Sequence, residues 1–120
     1  ASCLVGSEMC IRDRCEAFAM AEKLGLDAQT FYDISSVSSG QNWSMTSYCP
    51  VPGVGPQSPS DNDYQGGFAT ALMLKDLKLA MEAAESAGAT TALGRHAKEI
   101  YEAFAEQNGS VDFSGVIKTL

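Results

Sequence analysis

All four prolines of this 120-residue chain, Pro50, Pro52, Pro56 and Pro59, fall between residues 41 and 66. Proline fixes φ and removes a backbone donor, so no regular helix or inner strand runs through that stretch. Glycine, serine, asparagine and aspartate fill much of the remainder, which makes it one long loop with room for a short helical turn around Trp43. Loops longer than about 15 residues in compact domains are usually functional or disordered. Trp43, Tyr48 and Tyr64 give this one side chains to pack with, so an ordered loop is expected.

Helical periodicity flanks the loop. Residues 1–14 show no clean period; from Cys15, Phe18, Ala21 and Leu24 share a face that ends at Gly25. Asp27 suits the N-cap of a second helix, with Leu26 and Phe31 spaced as a hydrophobic staple. That helix is expected to carry Phe31, Ile34 and Val37 inward and to stop near Gly40. A third runs from Phe68 to about Ala87, before Gly88, and a fourth from Thr90 or Thr91 to Asn108-Gly109. Asp112 caps a short last helix bearing Phe113, Val116, Ile117 and Leu120. No stretch alternates β-branched residues. The expected fold is all-α: one domain, a bundle of about five helices.

Composition narrows the function classes. With 45% apolar and 19% charged residues the chain is ordinary globular material. The net charge of −7 divides evenly, −3 in residues 1–60 and −4 in 61–120, which excludes a bulk nucleic-acid or anionic-membrane binder. No apolar run reaches transmembrane length, and the start does not read as a signal peptide. Cys3, Cys10, Cys15 and Cys49 form no Cys-x-x-Cys pair and His96 is the sole histidine, so zinc is not expected and reduced thiols are. The sequons at Asn42 and Asn108 are then chance matches.

On the third helix, Phe68, Leu72, Lys75, Leu79 and Ala83 fall on one stripe. A lysine on an apolar stripe must find an anion, snorkel out or lose its charge. Phe68 and Lys75 lie two turns apart, roughly 10 Å along the axis, an arrangement suited to an anionic or dinucleotide ligand. The alternative is a snorkelling Lys75 or a pair with Asp61 or Asp63. Asp76 either supports Lys75 or faces solvent, and Lys78 and Glu82 read as a solvated pair. Trp43 walls a pocket or pins the loop to the core. His96, on the Leu93/Ile100 stripe, reads as a core or interface residue. No cysteine or serine has an assignable base and orienting acid, and Gly53-Val54-Gly55 is not a nucleotide fingerprint.

YQGGFATALMLKDLKLA at 64–80, with SSGQNWS at 38–44, PVPGV at 50–54, AEKLGLD at 21–27 and DFSGVIK at 112–118, resembles the C-terminal helical domain of the 3-hydroxyisobutyrate dehydrogenases. These are β-hydroxyacid dehydrogenases related to 6-phosphogluconate dehydrogenase. The resemblance covers residues 15–120 and implies NAD-dependent oxidation of 3-hydroxyisobutyrate to methylmalonate semialdehyde in valine breakdown. It implies Lys75 and Phe68 as cofactor contacts, and Trp43, Ser44 and Asp76 as part of the substrate pocket. It also implies a separate N-terminal Rossmann domain, a homo-oligomer (dimer or tetramer), and a cytoplasmic location in bacteria or the mitochondrial matrix in eukaryotes. The family's catalytic lysine would fall just ahead of Ala1, and its asparagines at Cys3 and Leu4. No catalytic residue is therefore expected in this chain, and residues 1–14 are expected to be a non-family start on a truncated, inactive and association-prone piece. A sister β-hydroxyacid dehydrogenase and a non-enzymatic helical dimerisation module are the alternatives.

Overall fold

The computed structural model describes the backbone of residues 2–120 and the side chains of residues 10–120. Among these the fold is all-α. Helix α1 spans Ser2–Lys23, α2 Ala28–Ser35, the one-turn α3 Trp43–Thr46, α4 Thr70–Ser86 and α5 Ala92–Asn108. A short 3-10 turn at Pro59–Asn62 interrupts the long loop, and a 3-10 helix, Phe113–Thr119, takes the place of the expected last α-helix.

Helix α1 begins well before Cys15 and runs without a break through Arg14, which corrects the expected start. Ile11, Cys15 and Phe18 follow one another at helical spacing and are all buried. Ile11 sits one turn ahead of Cys15, but the positions one turn ahead of Ile11 are Ser7 and Glu8, so the period is not visible in sequence. The helix ends as Gly25 dictates: Gly25 N–H donates to Glu22 and Leu26 N–H to Ala21, both at 2.9 Å. Leu24 falls beyond the last buried turn and is 78% exposed, not on the inner face. Asp27 caps α2, accepting from Thr30 N–H at 3.0 Å. That helix stops at Ser35, short of Gly40, so Val37 lies outside it. Ile34 and Val37 point to solvent, a second correction, while Phe31 turns inward and meets Phe18 edge-on at 4.8 Å.

Two apolar clusters hold the molecule. The larger joins Ile11 and Cys15 of α1, Met73 and Leu77 of α4, Tyr101 and Phe104 of α5, and Phe113 and Val116. The smaller, Phe18, Met45, Cys49 and Val54, seats the loop on α1. The loop is thus ordered by its own apolar side chains, as expected from its aromatics. Leu120 stays partly exposed, and its carbonyl accepts from Lys23 Nζ at 3.1 Å.

Helix α4 corrects the stripe. Its inner face is Thr70, Met73 and Leu77, whereas Leu72 and Leu79 are 50% and 53% exposed. The helix carries two apolar stripes, and among the described residues only one of them is buried. Phe68 lies in a bend two residues ahead of the helix, before the extended Ala69, so it does not share a helical face with Lys75. Lys78 pairs with Glu102 of α5 at 3.3 Å, not with Glu82. His96 is exposed beside Glu99, not in the core.

Candidate functional site

The start of α4 is anchored to the segment that follows α5. Thr70 N–H donates to Val111 at 2.8 Å, Ala71 N–H to Gly109 at 2.9 Å and Phe113 N–H to Phe68 at 2.9 Å. The first two satisfy free N–H groups of the first turn, in place of the side-chain cap that Ala69 cannot supply. They fix where Phe68 emerges and where α4, carrying Lys75, points.

Asn42 builds the other side. Its side-chain oxygen accepts from Met45 N–H at 3.0 Å and from the Ser44 hydroxyl at 2.6 Å, capping α3. Ser44 is buried with its hydroxyl engaged there. Trp43, at the first position of that turn, is exposed and stacks on Tyr48 with ring centroids 5.3 Å apart. Tyr48 lies 5.3 Å from Phe113, and Phe113 meets Phe68 edge-on at 6.0 Å. A continuous row of rings therefore runs from Trp43 to Phe68.

Asp112 sits beneath this row with no exposed surface. One carboxylate oxygen accepts from Tyr48 Oη at 2.6 Å and from Phe68 N–H at 2.8 Å. The other accepts from Ser114 N–H at 3.0 Å and from the Ser114 hydroxyl. Four donors fill the acceptor positions of a carboxylate that no cation among the described residues reaches, the condition for burying it tolerably. Burial, and then the Asp112 bond, push the Tyr48 phenol up. Gly67 makes the approach possible: at φ 69°, a Cβ there would collide with Asp112 and stand 2.6 Å from Tyr48 Oη.

The loop ahead of Gly67 is held with equal care. Asp63 and Tyr64 occupy left-handed backbone, at φ 49° and 60°. Tyr64 Oη donates to Pro50 at 2.8 Å, and Lys118 both pairs with Asp63 at 2.7 Å and covers the Tyr64 ring at 4.6 Å. Burial raises the Tyr64 phenol to about 12. Asp61 closes its own loop, accepting from Gly53 and Ser58 N–H, and those bonds hold its carboxyl below the usual range.

Both carboxylates suggested as partners for Lys75 are thus committed elsewhere. Lys75 is exposed and makes no hydrogen bond or ion pair with any described residue. Asp76 beside it is half-buried. Lys75 presents an unmatched cation between the exposed Leu72 and Leu79, on the helix that Phe68 leads into. Of the five residues singled out in sequence, Trp43 and Ser44 lie on α3, Phe68 just ahead of α4, and Lys75 and Asp76 within α4; the ring row links Trp43 to Phe68. Cys3 and Leu4 lie outside the described side chains. Among the described residues, no three His, Cys, Asp or Glu side chains gather as a metal site. Sequence reasoning missed Tyr48 and the second half of Asp112, which it treated only as a cap.

A family model described as the NAD-binding region of NADP-dependent 3-hydroxyisobutyrate dehydrogenase matches residues 2–120. The chain belongs to this family. It is 52% identical over 105 residues to a probable 3-hydroxyisobutyrate dehydrogenase of Mycobacterium tuberculosis, covering 88% of this chain and 36% of that protein. It is 44% identical over 106 residues to the mitochondrial 3-hydroxyisobutyrate dehydrogenase of Homo sapiens, covering 88% of this chain and 32% of that protein. The solved M. tuberculosis 3-hydroxyisobutyrate dehydrogenase with L-serine superposes with a TM-score of 0.93 at 46% identity, over 97% of this chain and 40% of the other. The chain thus spans well under half the length of the relatives it matches. No described helix is long and apolar enough to cross a membrane.

Proposed function

We propose that this chain forms the helical portion of an NAD-dependent dehydrogenase that oxidises 3-hydroxyisobutyrate to methylmalonate semialdehyde, a step of valine breakdown. The observation that carries the reading is the exposed Lys75 ammonium on α4, unmatched among the described residues, on the helix entered from Phe68 at the end of an ordered row of rings, in a chain of this family. A cation left without a carboxylate suits the anionic part of a dinucleotide, and the half-buried Phe68 ring suits the flat face of a nicotinamide. When bound, the nicotinamide accepts a hydride from the substrate carbon. Lys75 then neutralises cofactor charge, while Phe68 and Trp43 shield the reacting end of the cleft from water. Asp76 and Ser44 belong to the substrate side, Ser44 by holding Asn42 and so the turn that presents Trp43.

The proton acceptor and the dinucleotide-binding fold are assigned to the rest of the enzyme, so the 120 residues do not turn over by themselves. The exposed Leu72, Leu79 and Leu93 favour burial in a homo-oligomer or against that other portion. Bacterial and mitochondrial relatives support a cytoplasmic or matrix location. The test is turnover by the enzyme from its complete reading frame, with 3-hydroxyisobutyrate and related small hydroxyacids, using NAD and NADP in turn. Reduction of NAD with 3-hydroxyisobutyrate as the preferred substrate is expected. A preference for another hydroxyacid would assign the sister activity, and no dinucleotide reduction with any of them would leave the helical dimerisation module.

A further inference from the structure

We propose that Asp112 is a positioning residue for the dehydrogenase site: it clamps the Phe68 backbone and the Tyr48 phenol to one carboxylate oxygen, and so fixes the ring row that walls the cleft. The inference rests on the dehydrogenase reading of that cleft.

Three chain segments converge on this side chain from far apart in sequence. Tyr48 comes from the proline-rich loop, Phe68 from the entry to α4, and Ser114 from the terminal 3-10 helix. The two oxygens divide the work. The one facing Ser114 caps a helix, a task that any serine, threonine or aspartate performs. The one facing Tyr48 and Phe68 serves no helix. It ties a ring that stacks on Trp43 to the amide of the residue whose ring forms the other end of the row. The backbone of Asp112 adds a third tie, donating to Tyr64 at 2.9 Å. The loop leading to Phe68 holds two non-glycine residues, Asp63 and Tyr64, in left-handed backbone, a conformation that persists only where the surroundings over-determine it. A neutral cap would have sufficed for the helix. A buried carboxylate with four donors is the costlier choice, and what it adds is rigidity of the wall.

The test compares three variants of the complete enzyme, each assayed well below its melting temperature. Asp112→Asn keeps the shape but replaces one acceptor oxygen by a donor group. Tyr48→Phe keeps the ring and removes only its bond to Asp112. Ser114→Ala removes a hydroxyl on the helix-capping side. Asp112→Asn is expected to lower kcat/KM by about tenfold or more, since a misplaced wall costs catalysis out of proportion to stability. Ser114→Ala is expected to lower the melting temperature yet leave kcat/KM within about twofold. If Asp112→Asn does not fold, Tyr48→Phe decides: a kcat/KM loss of about threefold or more with little change in melting temperature supports the clamp. Kinetics that stay within about twofold in every folded Asp112 and Tyr48 variant would overturn it and leave Asp112 as a helix cap. A wild-type enzyme without dehydrogenase turnover would overturn the underlying reading, and this proposal with it.

Discussion

The two faces of α4 are built from the same residue types and meet opposite fates. Met73 and Leu77 are 4% and 0% exposed, locked between α1 and α5, while Leu72 and Leu79 flank Lys75 at 50% and 53%. Hydrophobicity alone does not distinguish the faces; the lysine does. An apolar stripe interrupted by a cation with no partner among the described residues is a surface waiting for something anionic and apolar together. The face without a charge became the core.

The contrast breaks most sharply by truncation. Leu77→Ala opens a cavity among Tyr101, Met73 and their neighbours and is expected to cost about 2–5 kcal/mol, against within about 0.5 kcal/mol for Leu72→Ala. Urea unfolding of both variants measures the difference, and equal losses would show that the outer face packs on this chain after all. A second contrast sits in the loop. Gly66 and Gly67 both hold positive φ, but only Gly67 lies against Asp112 and Tyr48. Gly67→Ala is expected to cost about 2–4 kcal/mol and Gly66→Ala about 1 kcal/mol, read by thermal melts.

A smaller effect follows from Cys15. Burial raises its thiol from 9.0 to about 12 in the folded chain. Because the folded value lies above the unfolded one, this stabilising contribution is whole below pH 9 and is lost as pH climbs toward about 12. Cys15→Ala should therefore show a shallower alkaline loss of stability than the wild type in urea titrations at successive pH values. An unchanged slope would mean that the thiol is reached by water.

Much of the fold was legible where local chemistry decides it. Asp27, Gly25, Gly88 and Thr91 mark helix ends that the structure reproduces within a residue or two. Which face turns inward was less legible. The Phe68–Ala83 stripe selected the outer face of α4, because periodicity counts apolar residues without knowing where the neighbours stand. Ile34 and Val37 failed for a related reason: α2 ends early, and its inner contacts are made by Phe31 and Tyr32. Of the site, Lys75, Phe68 and Trp43 were visible as residues out of place. Tyr48 and Asp112 were not, since their bond spans 64 positions and no local pattern announces it.

The most direct test of the central claim is the Michaelis constant for the dinucleotide in the complete enzyme carrying Lys75→Ala. An exposed side chain with no partner among the described residues can be removed without cost to folding, so the melting temperature should hold while that constant rises about tenfold. An unchanged constant would contradict the assignment of α4's outer face to the cofactor. A collapse in melting temperature would contradict the claim that Lys75 is structurally idle.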